Sequence, residues 1–127
     1  MDFSQCSCSG KSLARLVRPA IMAVLARQAV HGYEIARRLA EMAMFDGQPP
    51  DPTGIYRALH SMEQEGLVAS TWDLADSGPA KRRFELTPEG RKCLARWRRT
   101  LEDYAEAIAE LLTAIKAAPR ARRARAD

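Results

Sequence analysis

Residues 51–68 read DPTGIYRALHSMEQEGLV. The stretch carries the start and stop signals of one short helix. Asp51 is a good N-cap and Pro52 suits the first helical position, with Thr53 as a rival cap. Gly66 marks the C-terminal stop, and Leu67 is placed to fold back on the last turn. Winding the chain at 100° per residue gathers Ile55, Ala58, Leu59 and Met62 on one side. The opposite side carries Thr53, Arg57, His60 and Gln64, with Tyr56 at its edge. That side has hydrogen-bonding groups and a positive charge but no carboxylate, because Glu63 and Glu65 fall on the flanks. Such a face suits a polyanion, where Arg, Gln, Thr and Tyr contact base edges or phosphates. The plain alternative is an ordinary solvated helix face, and the rest of the chain decides between the two.

Upstream, apolar residues at Leu13, Leu16, Val17, Ala20, Ile21, Val24 and Leu25 recur at helical spacing. Pro19 belongs in a first turn, which places a helix near 18–29 with a turn over 12–17. The stripe is wide enough to predict burial against two partners. After His31-Gly32, a second helix is expected over 33–44, with Ile35, Ala36, Leu39, Met42 and Ala43 inside and Arg37, Arg38 and Glu41 outside. His31 is read as a capping or turn residue. FDGQPPDP, 45–52, is a loop by its glycine and prolines. The order helix, helix, connector, helix is that of a helix-turn-helix unit.

Downstream of Gly66 the pattern changes to alternation. Val68, Trp72 and Leu74 are expected on one face, with Ser70 between them, and Ala69, Thr71 and Asp73 on the other. DSGPA, 76–80, is a turn by composition. KRRFELT then places Phe84 and Leu86 inward and Arg83 and Glu85 outward. This β-hairpin carries Lys81, Arg82 and Arg83 near its tip, where they can reach phosphates beside a groove. A charged edge strand that resists aggregation is the alternative use of such residues. Three helices followed by a basic hairpin make a winged helix-turn-helix, mainly α with a small β-hairpin.

Thr87-Pro88-Glu89 begins the last helix, with Thr87 as cap, and Pro119 ends it near residue 118. At 1.5 Å per residue it extends roughly 45 Å. Leu94, Trp97, Leu101, Tyr104, Ile108, Leu111 and Ile115 recur at spacings of three and four, a heptad seam of about three heptads. A partner helix from a second copy in a two-fold homodimer would cover it, alongside packing on residues 13–25. The expected organisation is a disordered tail over 1–12, a DNA-binding domain over 13–86, a dimerisation helix over 87–118 and a basic disordered tail over 119–127.

Composition narrows the function classes. The 127 residues hold 20 Lys and Arg against 16 acids, a net charge of +4, with 46% hydrophobic and 28% charged residues. These values fit one soluble domain. No apolar run approaches the roughly 20 residues of a membrane span, and the N-terminus lacks a secretory apolar core, so a cytoplasmic protein is expected. Basic residues cluster at 37–38, 81–83, 91–99 and 120–125, which suits one face turned towards a polyanion. Three cysteines, Cys6, Cys8 and Cys93, are not a disulfide framework. They are read as reduced thiols, and no metal site or cofactor is expected. His31 and His60 have no nucleophile partner at catalytic spacing, and no glycine-rich phosphate loop occurs, so an enzyme is disfavoured.

Three blocks together, HGYEIARRL at 31–39, GIYRALHSMEQEGLV at 54–68 and KRRFELTPEG at 81–90, resemble the PadR family of bacterial transcriptional regulators in order and spacing, over about residues 17–112. The single long helix after TPEG is similar to the family's short subgroup. The resemblance implies a homodimeric winged-helix repressor that binds double-stranded operator DNA. On it, the family's third-helix tyrosine falls on Tyr56 and its wing basic residues on Lys81 and Arg82. It also implies a small, flat aromatic effector between the C-terminal helices, against Trp97. From the residues alone, Trp97 is equally well a structural part of the seam. The rival function is a winged-helix scaffold that dimerises and binds protein without reading DNA.

Overall fold

In the computed structural model, helix α1 spans Val17–Arg27. The structure describes residues 15–45, 50–74 and 81–120. Readings that fall on 1–14, 46–49, 75–80 and 121–127, including Cys6, Cys8 and the DSGPA turn, lie outside the described residues. Pro19 sits in the first turn of α1, where its missing N–H removes no intrahelical bond. The helix ends two residues short of the expected 29. At Gln28 the backbone is already extended (φ −170°, ψ 157°). It runs into a two-residue strand, β1, Val30–His31.

Helix α2 spans Gly32–Ala40, shorter than the expected 33–44. A separate 3-10 turn follows at Ala43–Phe45 and buries Phe45. Composition puts Phe45 in the loop that begins there; its ring belongs to the core. Ile35 and Leu39 are buried as expected, while Ala43 is exposed.

Helix α3 spans Pro52–Gln64, between the start and stop signals of its sequence. The Thr53 backbone N–H donates to Asp51 Oδ1 at 3.3 Å, which makes Asp51 the cap. At the other end Leu67 N–H donates to Met62 O at 2.9 Å and Gly66 N–H to Glu63 O at 3.1 Å. This paired closure needs the left-handed backbone that Gly66 supplies at φ 79°. Ile55, Leu59 and Met62 are completely buried. Each contributes roughly 1.5–3 kcal/mol against about 1 kcal/mol for the cap. Packing therefore holds α3 in place, and the cap sets where it begins.

Strands β2, Val68–Asp73, and β3, Lys81–Leu86, form the hairpin. The sheet has three strands in the order β1-β3-β2, all antiparallel. Val68 pairs with Leu86, Ser70 with Phe84, Trp72 with Arg82 and Asp73 with Lys81. Val30 and His31 pair with Phe84 and Arg83 on the far edge. The alternation holds, but burial reaches only Val68, Phe84 and Leu86. Trp72 and Leu74 are 63% and 83% exposed. The two-residue β1 supports β3 only as far as Arg83, and nearer the tip the Trp72 ring meets the Arg82 guanidinium instead of the core.

The core gathers Ile21, Met22 and Leu25 of α1 with Ile35, Leu39, Ile55, Leu59 and Met62, and the sheet closes it through Val68, Phe84 and Leu86. Helix α4 spans Pro88–Ala117. Thr87 caps it: Gly90 N–H donates to Thr87 Oγ1 at 2.9 Å, and that hydroxyl donates to Gly66 O at 2.6 Å. One side chain thus joins the end of α3 to the start of α4. The chain divides into two compact units, 1–95 and 96–127, the division falling inside α4.

Candidate nucleic-acid interface

Thr53, Tyr56, Arg57, His60 and Gln64 are all exposed on the outer face of α3. Because Asp51 does the capping, the Thr53 side chain is not needed for it. The two carboxylates beside this face are each tied to an arginine from another element. Glu65 Oε2 accepts from Arg18 Nη2 of α1 at 2.7 Å and from Ser61 Oγ at 3.1 Å. The Arg18 bond first, and the Ser61 hydroxyl after it, hold the Glu65 carboxyl below the usual carboxylate range. Glu63 Oε1 accepts from Arg82 Nη2 of β3 at 2.8 Å. Arg57 forms no ion pair among the described residues, so the face keeps a free positive charge between neutralised flanks.

Tyr56 leans back over the start of α2. Its ring covers Gly32, and a Cβ there would stand 2.6 Å from the Tyr56 hydroxyl oxygen. Gly32 therefore gives Tyr56 room to lie against the helix pair at the edge of the exposed face.

The wing's three basic residues differ in their surroundings. Arg82 is paired with Glu63. Arg83 Nε donates to Asp73 Oδ2 at 2.9 Å, and His31 Nε2 lies 2.7 Å from the same oxygen. The Arg83 bond, and secondarily His31, hold the Asp73 carboxyl below its usual range. Lys81 has no carboxylate partner among the described residues; its Nζ lies 5.2 Å from the centroid of the Tyr33 ring. Tyr33 in turn stacks on His31 at 5.7 Å and 7°. His31, expected as a capping or turn residue, stands at the N-cap of α2. It makes no side-chain cap bond there, because its ring is engaged by Asp73 and Tyr33. His31, Tyr33, Glu34, Arg38 and Arg83 border a shallow cavity of about 230 Å³.

The sequence reading missed Glu63, Asp73, Tyr33 and Arg18. Only Asp73 left a usable signal: alternation along the hairpin puts it on the same face as Lys81 and Arg83. Arg18 and Glu65 are 47 positions apart, and no local pattern joins them.

Of the seam residues, Leu94, Trp97 and Leu101 are partly exposed, while Tyr104, Ile108, Leu111 and Ile115 are 52–63% exposed. The Cys93 thiol is free. Among the described residues no cluster of His, Cys, Asp or Glu is arranged to hold a metal ion, and no helix is long and apolar enough to cross a membrane.

The profile of the Transcriptional regulator PadR-like family matches residues 21–96. Transcriptional regulator Rv3488 of Mycobacterium tuberculosis (strain ATCC 25618 / H37Rv) is 34% identical over 92 residues, covering 72% of this chain and 81% of that protein. Among solved structures, a PadR family transcription regulator from hypervirulent Clostridium difficile R20291 superposes with a TM-score of 0.68 at 23% identity, covering 76% of this chain and 98% of the other. Bacillus subtilis PadR, solved in complex with operator DNA, superposes with a TM-score of 0.58 at 22% identity, over 65% of this chain and 46% of its own. With the mainly helical winged-helix fold and the profile match over most of that fold, the chain belongs to the PadR-like family of transcriptional regulators.

Proposed function

We propose that this chain is a homodimeric, sequence-specific DNA-binding repressor whose α3 enters the major groove. The observation that carries the reading is the outer face of α3, exposed and free of carboxylates, with Glu63 and Glu65 each neutralised by an arginine from outside it. A face so arranged meets phosphates and base edges without like-charge repulsion. Thr53, Arg57, His60 and Gln64 are the groove contacts. Tyr56 and the wing meet the phosphates, with Lys81 the wing residue unclaimed by a carboxylate. The fold shared with an operator-bound protein supports the docking mode.

The seam from Tyr104 to Ile115 supports the dimer, because a row of exposed large apolar residues at heptad spacing is covered by a like helix. Two α3 helices then address half-sites about one helical turn apart. A flat aromatic effector stacking near Trp97 would shift the population between binding-competent and incompetent dimers. The test is an electrophoretic shift on the DNA upstream of the chain's own gene, against random competitor and across a salt series. A salt-sensitive, sequence-selective complex supports the reading. Absence of any such complex favours the protein-binding scaffold.

A further inference from the structure

Glu63, Ser70 and Arg82 come from three different elements and form a closed triangle. Ser70 Oγ of β2 donates to Glu63 Oε2 of α3 at 2.5 Å. Arg82 Nε of β3 donates to that same Ser70 oxygen at 2.9 Å, and its Nη2 donates to Glu63 Oε1 at 2.8 Å. Both carboxylate oxygens and the hydroxyl are thereby used. The guanidinium also lies over two rings, 5.5 Å from the centroid of Phe84 and 5.8 Å from that of Trp72.

A single exposed ion pair contributes little to stability, so the triangle is better understood through its geometry. The planar guanidinium fork serves two acceptors in fixed directions, and the two rings add favourable contacts to that placement. Ser70 and Arg82 thus tie the hairpin to the last turn of α3.

We propose that Glu63 and Ser70 hold Arg82 as a positioning residue that sets the wing against the recognition helix, and that Arg82 stays on Glu63 when DNA is bound. Lys81 is then the wing's phosphate contact. This rests on the reading that α3 and the hairpin face DNA. Transfer of Arg82 to a phosphate would strip Glu63 of its counter-charge beside a polyanion, which opposes the gain of the new contact. With the brace intact, wing and helix meet the duplex at a fixed separation, and the correct site is favoured over others.

The test measures fluorescence anisotropy of the full chain on its shifted fragment and on random duplex over a salt series, with thermal melts of each variant. Lys81→Ala lowers the slope of log K against log salt by about one. Arg82→Ala leaves the slope unchanged and lowers the cognate-to-random ratio about tenfold, the scale of one mismatched base pair. Arg82→Lys keeps the charge without the fork and fails to restore the ratio. A slope reduced by about one in Arg82→Ala and restored in Arg82→Lys overturns the brace. Should Arg82→Ala melt too low to measure, Glu63→Gln decides: a lowered ratio supports the brace, and equal tightening on both DNAs with the ratio intact overturns it. A wild-type chain that forms no salt-sensitive complex overturns the DNA reading and the brace with it.

Discussion

The Tyr56 ring lies directly over Gly32: a Cβ on Gly32 would stand 2.6 Å from both Cε1 and the hydroxyl oxygen of Tyr56. The obstructing atoms are the far end of a side chain that is 48% exposed. Gly32→Ala therefore swings the ring outward instead of opening the core. The expected loss of stability is about 1 kcal/mol, with weaker binding to cognate and random DNA alike if Tyr56 meets phosphates as proposed. Melting curves and anisotropy on both duplexes check this; unchanged DNA binding would refute the role given to Tyr56.

Gly90 is the opposite case. A Cβ there would lie 2.0 Å from the Leu67 carbonyl oxygen, and that same oxygen accepts the Thr87 N–H at 3.1 Å. Backbone on both sides cannot swing aside. Gly90→Ala should cost about 3 kcal/mol despite the better helix propensity of alanine. A chemical denaturation midpoint close to wild type would show that the junction of α3 and α4 is looser than its geometry.

Ile108 is 63% exposed in the single chain. Ile108→Ser should change the stability of the isolated protomer by less than about 0.5 kcal/mol, as exposed substitutions do, while weakening association. Sedimentation equilibrium over a concentration series separates the two effects. A variant that stays as tightly dimeric as wild type, or a wild type that is monomeric throughout, contradicts the seam's role.

Asp73 gives the fold an acid-sensitive joint. Its carboxyl is held below the usual range by Arg83 first and His31 second. A depressed carboxyl contributes stability that is complete above the ordinary aspartate pKa of about 4 and disappears as pH falls through the folded-state value. Melting temperature should therefore fall more steeply below about pH 4 in wild type than in Asp73→Asn, which lacks the titrating group. Parallel curves for the two proteins would remove Asp73 from the account.

How far the sequence reveals this molecule depends on the range of each interaction. The Asp51 cap, the Gly66 closure and the Thr87 start of α4 involve neighbours within a few residues, and each was legible. The alternation of β3 was legible for the same reason. Strand β1 was not: two residues carry no periodicity, and Val30–His31 is a strand only because Phe84 and Arg83 lie beside it. Phe45 looked like loop among prolines, yet the 3-10 turn carries it into the core. Alternation placed Trp72 on the face of Val68, but not how far burial follows that face: Trp72 is 63% exposed, with the Arg82 guanidinium against its ring. At the candidate interface, the exposed residues of α3 could be named from its helical winding. The partners that neutralise or brace its flanks, Arg18, Ser70 and Arg82, come from other elements, and only the folded chain brings them there.

The central claim is that the outer face of α3 reads DNA sequence, with Arg57 as its free positive charge. The direct measurement is a titration of wild type and Arg57→Ala, at one fixed salt concentration, against the cognate fragment and a random duplex of equal length. The account predicts a loss of about 1–3 kcal/mol on the cognate fragment and a much smaller loss on random DNA. Equal losses on both duplexes would contradict it, leaving Arg57 a phosphate contact and the face without a reader at its centre.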